Sequence, residues 1–160
     1  MTITKTLLAS LAASVLALAY NGDGFAEKFS ALPEAVRATA EAHMDSALPV
    51  SISSAKGEQG WDYQINTRLN GKYHDLIINE KGGLVAVKDE MDLVSVPASA
   101  RSAIESASGG SKILTVEKVT EGGQVSYGAL VKDDREGTAV QVRVAPDGTI
   151  KSKNQNQAGK

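Results

Sequence analysis

The side chains best suited to chemistry in this 160-residue chain are two histidines and a set of carboxylates. His74 stands beside Asp75. Such a pair is catalytic only where a serine hydroxyl converges on the imidazole. No Gly-x-Ser-x-Gly elbow supplies one, and the absence of cysteine removes thiolate chemistry. His43 and Asp45 are two residues apart on a predicted helix, which turns them to different faces and argues against a shared metal. Asp89-Glu90-Met91-Asp92 and Asp133-Asp134-Arg135-Glu136 offer oxygen ligands, but neither has the spacing of a calcium loop. They read as solvated turns. Gly82 and Gly148 precede strands, so they lack the helix N-terminus that a phosphate loop requires. No cofactor and no metal are expected, and a hydrolase ranks last.

A polar row is the stronger candidate. Trp61, Tyr63, Ile65, Thr67 and Leu69 alternate with Asp62, Gln64, Asn66 and Arg68. That is a strand with one buried and one wet face. On a matching strand Ser126 and Lys132 take the wet positions, and Gln141 and Arg143 follow on its neighbour. Such a face is either plainly solvated or a surface for a protein or peptide. Mixed polar groups set register, whereas affinity comes mainly from aromatic and arginine anchors. Arg68 and Arg143 are the anchors in view.

The elements that carry this row occur twice. Leu32-Pro33-Glu34-Ala35-Val36-Arg37 returns as Val96-Pro97-Ala98-Ser99-Ala100-Arg101, an offset of 97 − 33 = 64. Tyr63 returns as Tyr127 at 64, and Gly82 as Gly148 at 66. A recurring period of this size is the mark of a repeated unit. Pro33 and Pro97 suit a first helical turn, where no N–H is needed. Val36, Ala40, Met44 and Ala47 make an apolar stripe over a helix of about 14 residues. A second helix over 97–106 turns Ala100, Ala103, Ile104 and Ala107 inward and stops at Gly109-Gly110. Asn70-Gly71 predicts a tight hairpin from the alternating strand into 73–79, and a last strand follows over 84–88. The second copy predicts strands through Val125–Val131, Val140–Val144 and 149–153, and weaker strands precede both sets, at 50–55 and 113–119. The expected fold is α+β: two tandem helix-plus-antiparallel-sheet repeats, α-β-β-β-β each, over 32–92 and 93–152. Each sheet buries one face under its own helix, and two sheets side by side could present one wide open surface.

Residues 1–19 read as a secretory signal peptide. Lys5 precedes an uncharged apolar run, Leu7 to Leu18, which is too short to span a bilayer, and Ala17-Leu18-Ala19 fits peptidase cleavage. Residues 20–31 form an N-terminal segment, and 153–160 a polar, disordered tail. The mature chain has no further membrane span and is expected in the periplasm or outside the cell. Losing Lys5 from 17 basic residues leaves 16 against 19 acidic ones, a net −3 without the basic stripe of a nucleic-acid binder.

Leu32, Pro33, Val36, Tyr63, Gly71 and Gly82, with Val96, Pro97, Tyr127, Gly137 and Gly148, give the chain a resemblance to PepSY-type domains. In tandem it resembles the beta-lactamase-inhibitor-like, PepSY-like group of secreted bacterial proteins, over roughly residues 32–152. The resemblance implies a repeated helix on an antiparallel sheet, with sheet faces available for protein binding. PepSY domains also occur in propeptides of secreted metallopeptidases, and the inhibitor relatives grip an enzyme with exposed aromatics on a concave sheet. Here the chain departs, because Trp61, Tyr63 and Tyr127 fall on the buried parity.

The reading is therefore a secreted, non-enzymatic binding module that takes an unidentified protein or peptide through its open sheet face and regulates a peptidase or acts like an inhibitor. A small-ligand or cation carrier is the alternative.

Overall fold

The computed structural model describes residues 23–45, 47–57, 60–132 and 139–156. The expected signal peptide and the acidic loop at 133–136 lie outside them. Three helices and eight strands follow in the order α1 (Asp23–Ser30), α2 (Glu34–His43), β1 (Leu48–Gly57), β2 (Gly60–Leu69), β3 (Lys72–Asn79), β4 (Leu84–Glu90), a 3-10 turn (Leu93–Ser95), α3 (Ala98–Ser108), β5 (Ile113–Glu121), β6 (Gln124–Lys132), β7 (Ala139–Val144) and β8 (Ile150–Asn156). No helix among the described residues is long and apolar enough to cross a membrane.

The strands make one antiparallel sheet in sequence order, β1 through β8. Two sheets side by side were expected. Instead β4 and β5 pair directly, from Ala86 opposite Glu121 to Glu90 opposite Glu117. The pairing satisfies backbone groups that two separate sheets would leave as open edges. The Asn70-Gly71 turn has φ of 53° and 81°. Both central residues are left-handed, as a two-residue hairpin turn demands.

One face of the sheet is covered by helices. Val36 and Ala40 of α2 pack with Leu32, Ile65, Leu76 and Ile78, and Ala100 and Ile104 of α3 pack with Val96, Val116, Tyr127, Ala129, Val142 and Val144. Each fully buried Val, Ile or Leu contributes about 1.5–3 kcal/mol of transfer free energy. Both helices start just after a proline, with Arg37 N–H bonding the Pro33 carbonyl at 3.0 Å and Arg101 N–H the Pro97 carbonyl at 2.9 Å. Side-chain ties recur as well: Arg37 Nη1 donates to the Ser30 carbonyl at 3.2 Å and Arg101 Nη1 to the Val94 carbonyl at 3.3 Å, each seven residues back. Gly82 and Gly148 bring strand turns against helix starts. A Cβ would lie 2.7 Å from the Ala35 carbonyl oxygen at the first and 2.8 Å from that of Ser99 at the second.

Four expectations change. Helix α2 ends at His43, and Ala47, still buried, follows after the helix. Helix α1 appears in the N-terminal segment, where none was expected, and its Phe25 and Phe29 stack at 5.5 Å and pack on the first core. Residues 153–156, assigned to a disordered tail, belong to β8, with Lys153 opposite Val142 and Asn154 opposite Gln141. Trp61 keeps the parity of Ile65 but is 49% exposed, because it stands at the start of its strand, at the edge of the helix cover. Tyr63 packs partly against the core and Tyr127 is buried, as the alternation indicates.

Candidate functional site: the uncovered face of the sheet

Strand alternation fixes which side chains share the face without helices. On β2 these are Asp62, Gln64, Asn66 and Arg68. The pairing of Arg68 with Tyr73 and of Asn66 with Asp75 carries the face onto β3. Asp75 opposite Lys88 takes it to β4, and Lys88 opposite Val119 with Glu90 opposite Glu117 takes it to β5. Val119 opposite Ser126 and Glu117 opposite Gly128 reach β6, and Gly128 opposite Arg143 and Leu130 opposite Gln141 reach β7. All eight residues proposed from sequence, Lys132 included, therefore share one side of one sheet. They do not form one cluster. Four strand spacings separate β2 from β6, about 19 Å at ~4.8 Å each.

The ground between them was missed by sequence reasoning. It holds Tyr73, Asp75, Ile77, Ala86, Lys88, Glu90, Glu117, Val119 and Glu121. Its floor is closed by the chain itself: Val119 is 0% exposed, Lys88 5% and Ser126 7%. Ser126 is therefore part of the floor.

The first polar patch is a hydrogen-bonded lattice. Gln64 Nε2 donates to Asn66 Oδ1 at 2.8 Å, and Asn66 Nδ2 to Ser51 Oγ at 2.7 Å. Gln64 Nε2 also lies 3.5 Å from Asp75 Oδ2. Asp75 Oδ1 is buried without a hydrogen-bond partner. Burial, reinforced by the like charge of Glu117, pushes the Asp75 carboxyl up to about 6, against the opposing pull of Lys88, the Gln64 bond and a backbone bond at Thr67. Arg68 is held by its own hairpin: Nη1 donates to the Gly71 carbonyl at 3.2 Å and Nη2 to the Tyr73 hydroxyl at 2.8 Å. Tyr73, which sequence reasoning did not single out, is an aromatic on the open face. A two-residue turn after Leu69 sets Arg68 opposite Tyr73, so the sequence carried the signal.

The second patch has Arg143 Nη1 at 3.4 Å from Glu121 Oε2. Glu117 lies over Gly128, where a Cβ would come within 2.8 Å of its Oε1. Among the described residues of this face no serine or threonine hydroxyl is bonded to a histidine or a carboxylate. The His74 ring lies on the opposite, helix-covered side from Asp75, because consecutive strand residues alternate. Among the described residues no group of three or more His, Cys, Asp or Glu is placed to hold a metal ion. The face offers hydrogen bonds, paired charges and an arginine–tyrosine platform, which are the components of macromolecular recognition.

No protein-family model and no curated protein matches the sequence. Solved structures do match in fold. A candidate periplasmic protein from Bacteroides eggerthii superposes with a TM-score of 0.64 at 16% identity, covering 78% of this chain and 88% of that one. A DUF2874 family protein from Bacteroides ovatus gives 0.61 at 17% identity, covering 78% and 87%. A BLIP-like protein from Bacteroides fragilis gives 0.60 at 13% identity, covering 81% and 89%. The chain has a BLIP-like fold, α+β with an open antiparallel sheet.

Proposed function

We propose that the chain is a non-enzymatic binding module of the periplasm or cell exterior that recognises a protein or peptide through the uncovered sheet face. The observation that carries this reading is the Arg68–Tyr73 platform, seated beside a hydrogen-bonded lattice on a face that none of the described helices covers. Arg and Tyr are the side chains most often responsible for interface affinity. Asp62, Gln64 and Asn66 on one side, and Lys132, Gln141 and Arg143 on the other, supply the surrounding polar contacts. The likeness to a BLIP-like protein and to a candidate periplasmic protein supports the same class. A peptidase-regulating or inhibitor-like role is the specific form that the PepSY resemblance favours.

The two halves are, on this reading, copies of one PepSY-like unit. The matched Arg37–Ser30 and Arg101–Val94 bonds support that, as do the matched Gly82–Ala35 and Gly148–Ser99 approaches.

The test is capture from the extracytoplasmic fraction of the host by the immobilised chain. A partner retained by the unmodified chain and by Glu105→Ala, on the outer side of α3, but lost by Arg68→Ala and by Arg143→Ala supports the reading. Retention that ignores both arginines, or no retained protein at all, overturns it.

A further inference from the structure

His74 makes two bonds that a neutral ring cannot make together. Its Nδ1 lies 2.6 Å from Asp89 Oδ1 and its Nε2 lies 3.1 Å from the His43 carbonyl oxygen. A carbonyl only accepts hydrogen bonds, and so does an ionised carboxylate. Each ring nitrogen must therefore bring its own proton, and the ring that satisfies both is the imidazolium. His43 is the last residue of α2, so its carbonyl is one of the helix's orphan acceptors, at the negative end of the helix dipole. A buried cation belongs there, and the His74 side chain is only 11% exposed.

The groups around the ring favour the charge. Asp89 faces it from β4, with Lys118 of β5 opposite Asp89, and Asp45 approaches from the chain leaving α2. Thr67 lies across on β2, and Lys72 on the same face of β3 is drawn off to Asp92 at 2.7 Å. Burial pushes the His74 pKa down, but the Asp89 bond, the His43 carbonyl and the charges of Asp89 and Asp45 outweigh it and raise it above 6.5.

We propose that His74 is a protonation-controlled latch, which as imidazolium caps the C-terminal end of α2 and ties it to β4, and which gives up one of those bonds as the medium turns alkaline. The element released is the last turn of α2. A folded pKa above the unfolded one makes this stabilisation complete below about 6.5 and loses it as pH rises through the folded value.

The test uses the whole chain labelled with 15N-histidine. The sequence has two histidines, so a His43→Gln variant assigns the signals. At pH about 6 both His74 ring nitrogens are expected to be protonated, and above the folded-state midpoint only one. Over the same range the hydrogen-exchange protection of the last turn of α2, corrected for intrinsic rates, is expected to fall about fivefold. His74→Gln should hold that protection flat with pH, and Asp89→Asn should lower the His74 midpoint by about one unit. A singly protonated ring at pH 6 overturns the proposal, as does protection that stays constant while His74 titrates. Should Asp89→Asn not fold, the ring signals of the unmodified chain decide.

Discussion

The guanidinium carbon of Arg68 sits 4.3 Å from the centre of the Tyr73 ring, on the side of the sheet opposite α2 and α3. Both residues flank the Asn70-Gly71 turn, and Nη2 of the arginine also donates to the tyrosine hydroxyl. The pair is a cation–π contact held in place by its own hairpin. Exposed contacts of this kind contribute about 0.5–1 kcal/mol to folding. Tyr73→Phe keeps the ring and removes the acceptor. It should leave the urea midpoint nearly unchanged, while Arg68→Ala should lower stability by less than about 1 kcal/mol and abolish retention of a partner. Loss of stability well beyond that would make the pair a scaffold element.

Gly82 is held by closeness and conformation together. Its φ is +84°, and a Cβ would lie 2.7 Å from the backbone oxygen of Ala35, which has no freedom to withdraw. Gly71 has a similar φ of +81° with nothing within 4 Å. Gly71→Ala should therefore show the conformational penalty alone, about 1 kcal/mol, and Gly82→Ala a further penalty of a few kcal/mol. Urea denaturation of the two variants side by side separates the terms. Gly148→Ala, 2.8 Å from the Ser99 oxygen at φ +90°, should follow Gly82→Ala.

Local signals made much of this fold legible. The alternation over 61–69 and the Asn-Gly turn depend only on neighbouring residues, and so do the prolines that open α2 and α3, so each was readable one segment at a time. The centre of the candidate face was not. Asp75 and Lys88 face each other across the β3–β4 hairpin, but Glu117 joins them only because β4 pairs with β5 across the linker and α3, and no local pattern encodes that pairing. Trp61 shows the same limit from the other side. Its parity is local, but its cover is tertiary, and the cover ends before reaching it. Helix α1 has eight residues and two phenylalanines, too short a stripe to stand out beside Gly22-Asp23-Gly24.

Asp75 gives the open face a response to acid. Burial raises its carboxyl from 3.8 to about 6, so the folded chain holds a proton that the unfolded chain has already released. The associated stability is complete below about pH 3.8 and is lost as pH rises through 6. Asp75→Asn removes the ionisation. The variant should therefore gain stability relative to the unmodified chain between pH 4 and pH 7, read as a widening difference in urea midpoints. A difference that is constant over this range would mean that Asp75 is solvated in the folded chain.

Glu117 owes its position to what Gly128 lacks. A Cβ at 128 would meet Glu117 Oε1 at 2.8 Å and its Cγ at 3.0 Å. Unlike the helix carbonyl beside Gly82, these atoms belong to a long side chain that can swing aside. Gly128→Ala should therefore cost about 1 kcal/mol or less, a surface-level effect, although residue 128 itself is buried. The displaced carboxylate should nevertheless raise local positive potential around Arg143, opposite Gly128 on β7, and around Lys88. If the uncovered face is where a partner binds, Gly128→Ala should change the dissociation rate several-fold with the fold intact, measurable by surface plasmon resonance alongside urea denaturation. Large destabilisation would show instead that Glu117 is fixed against the sheet.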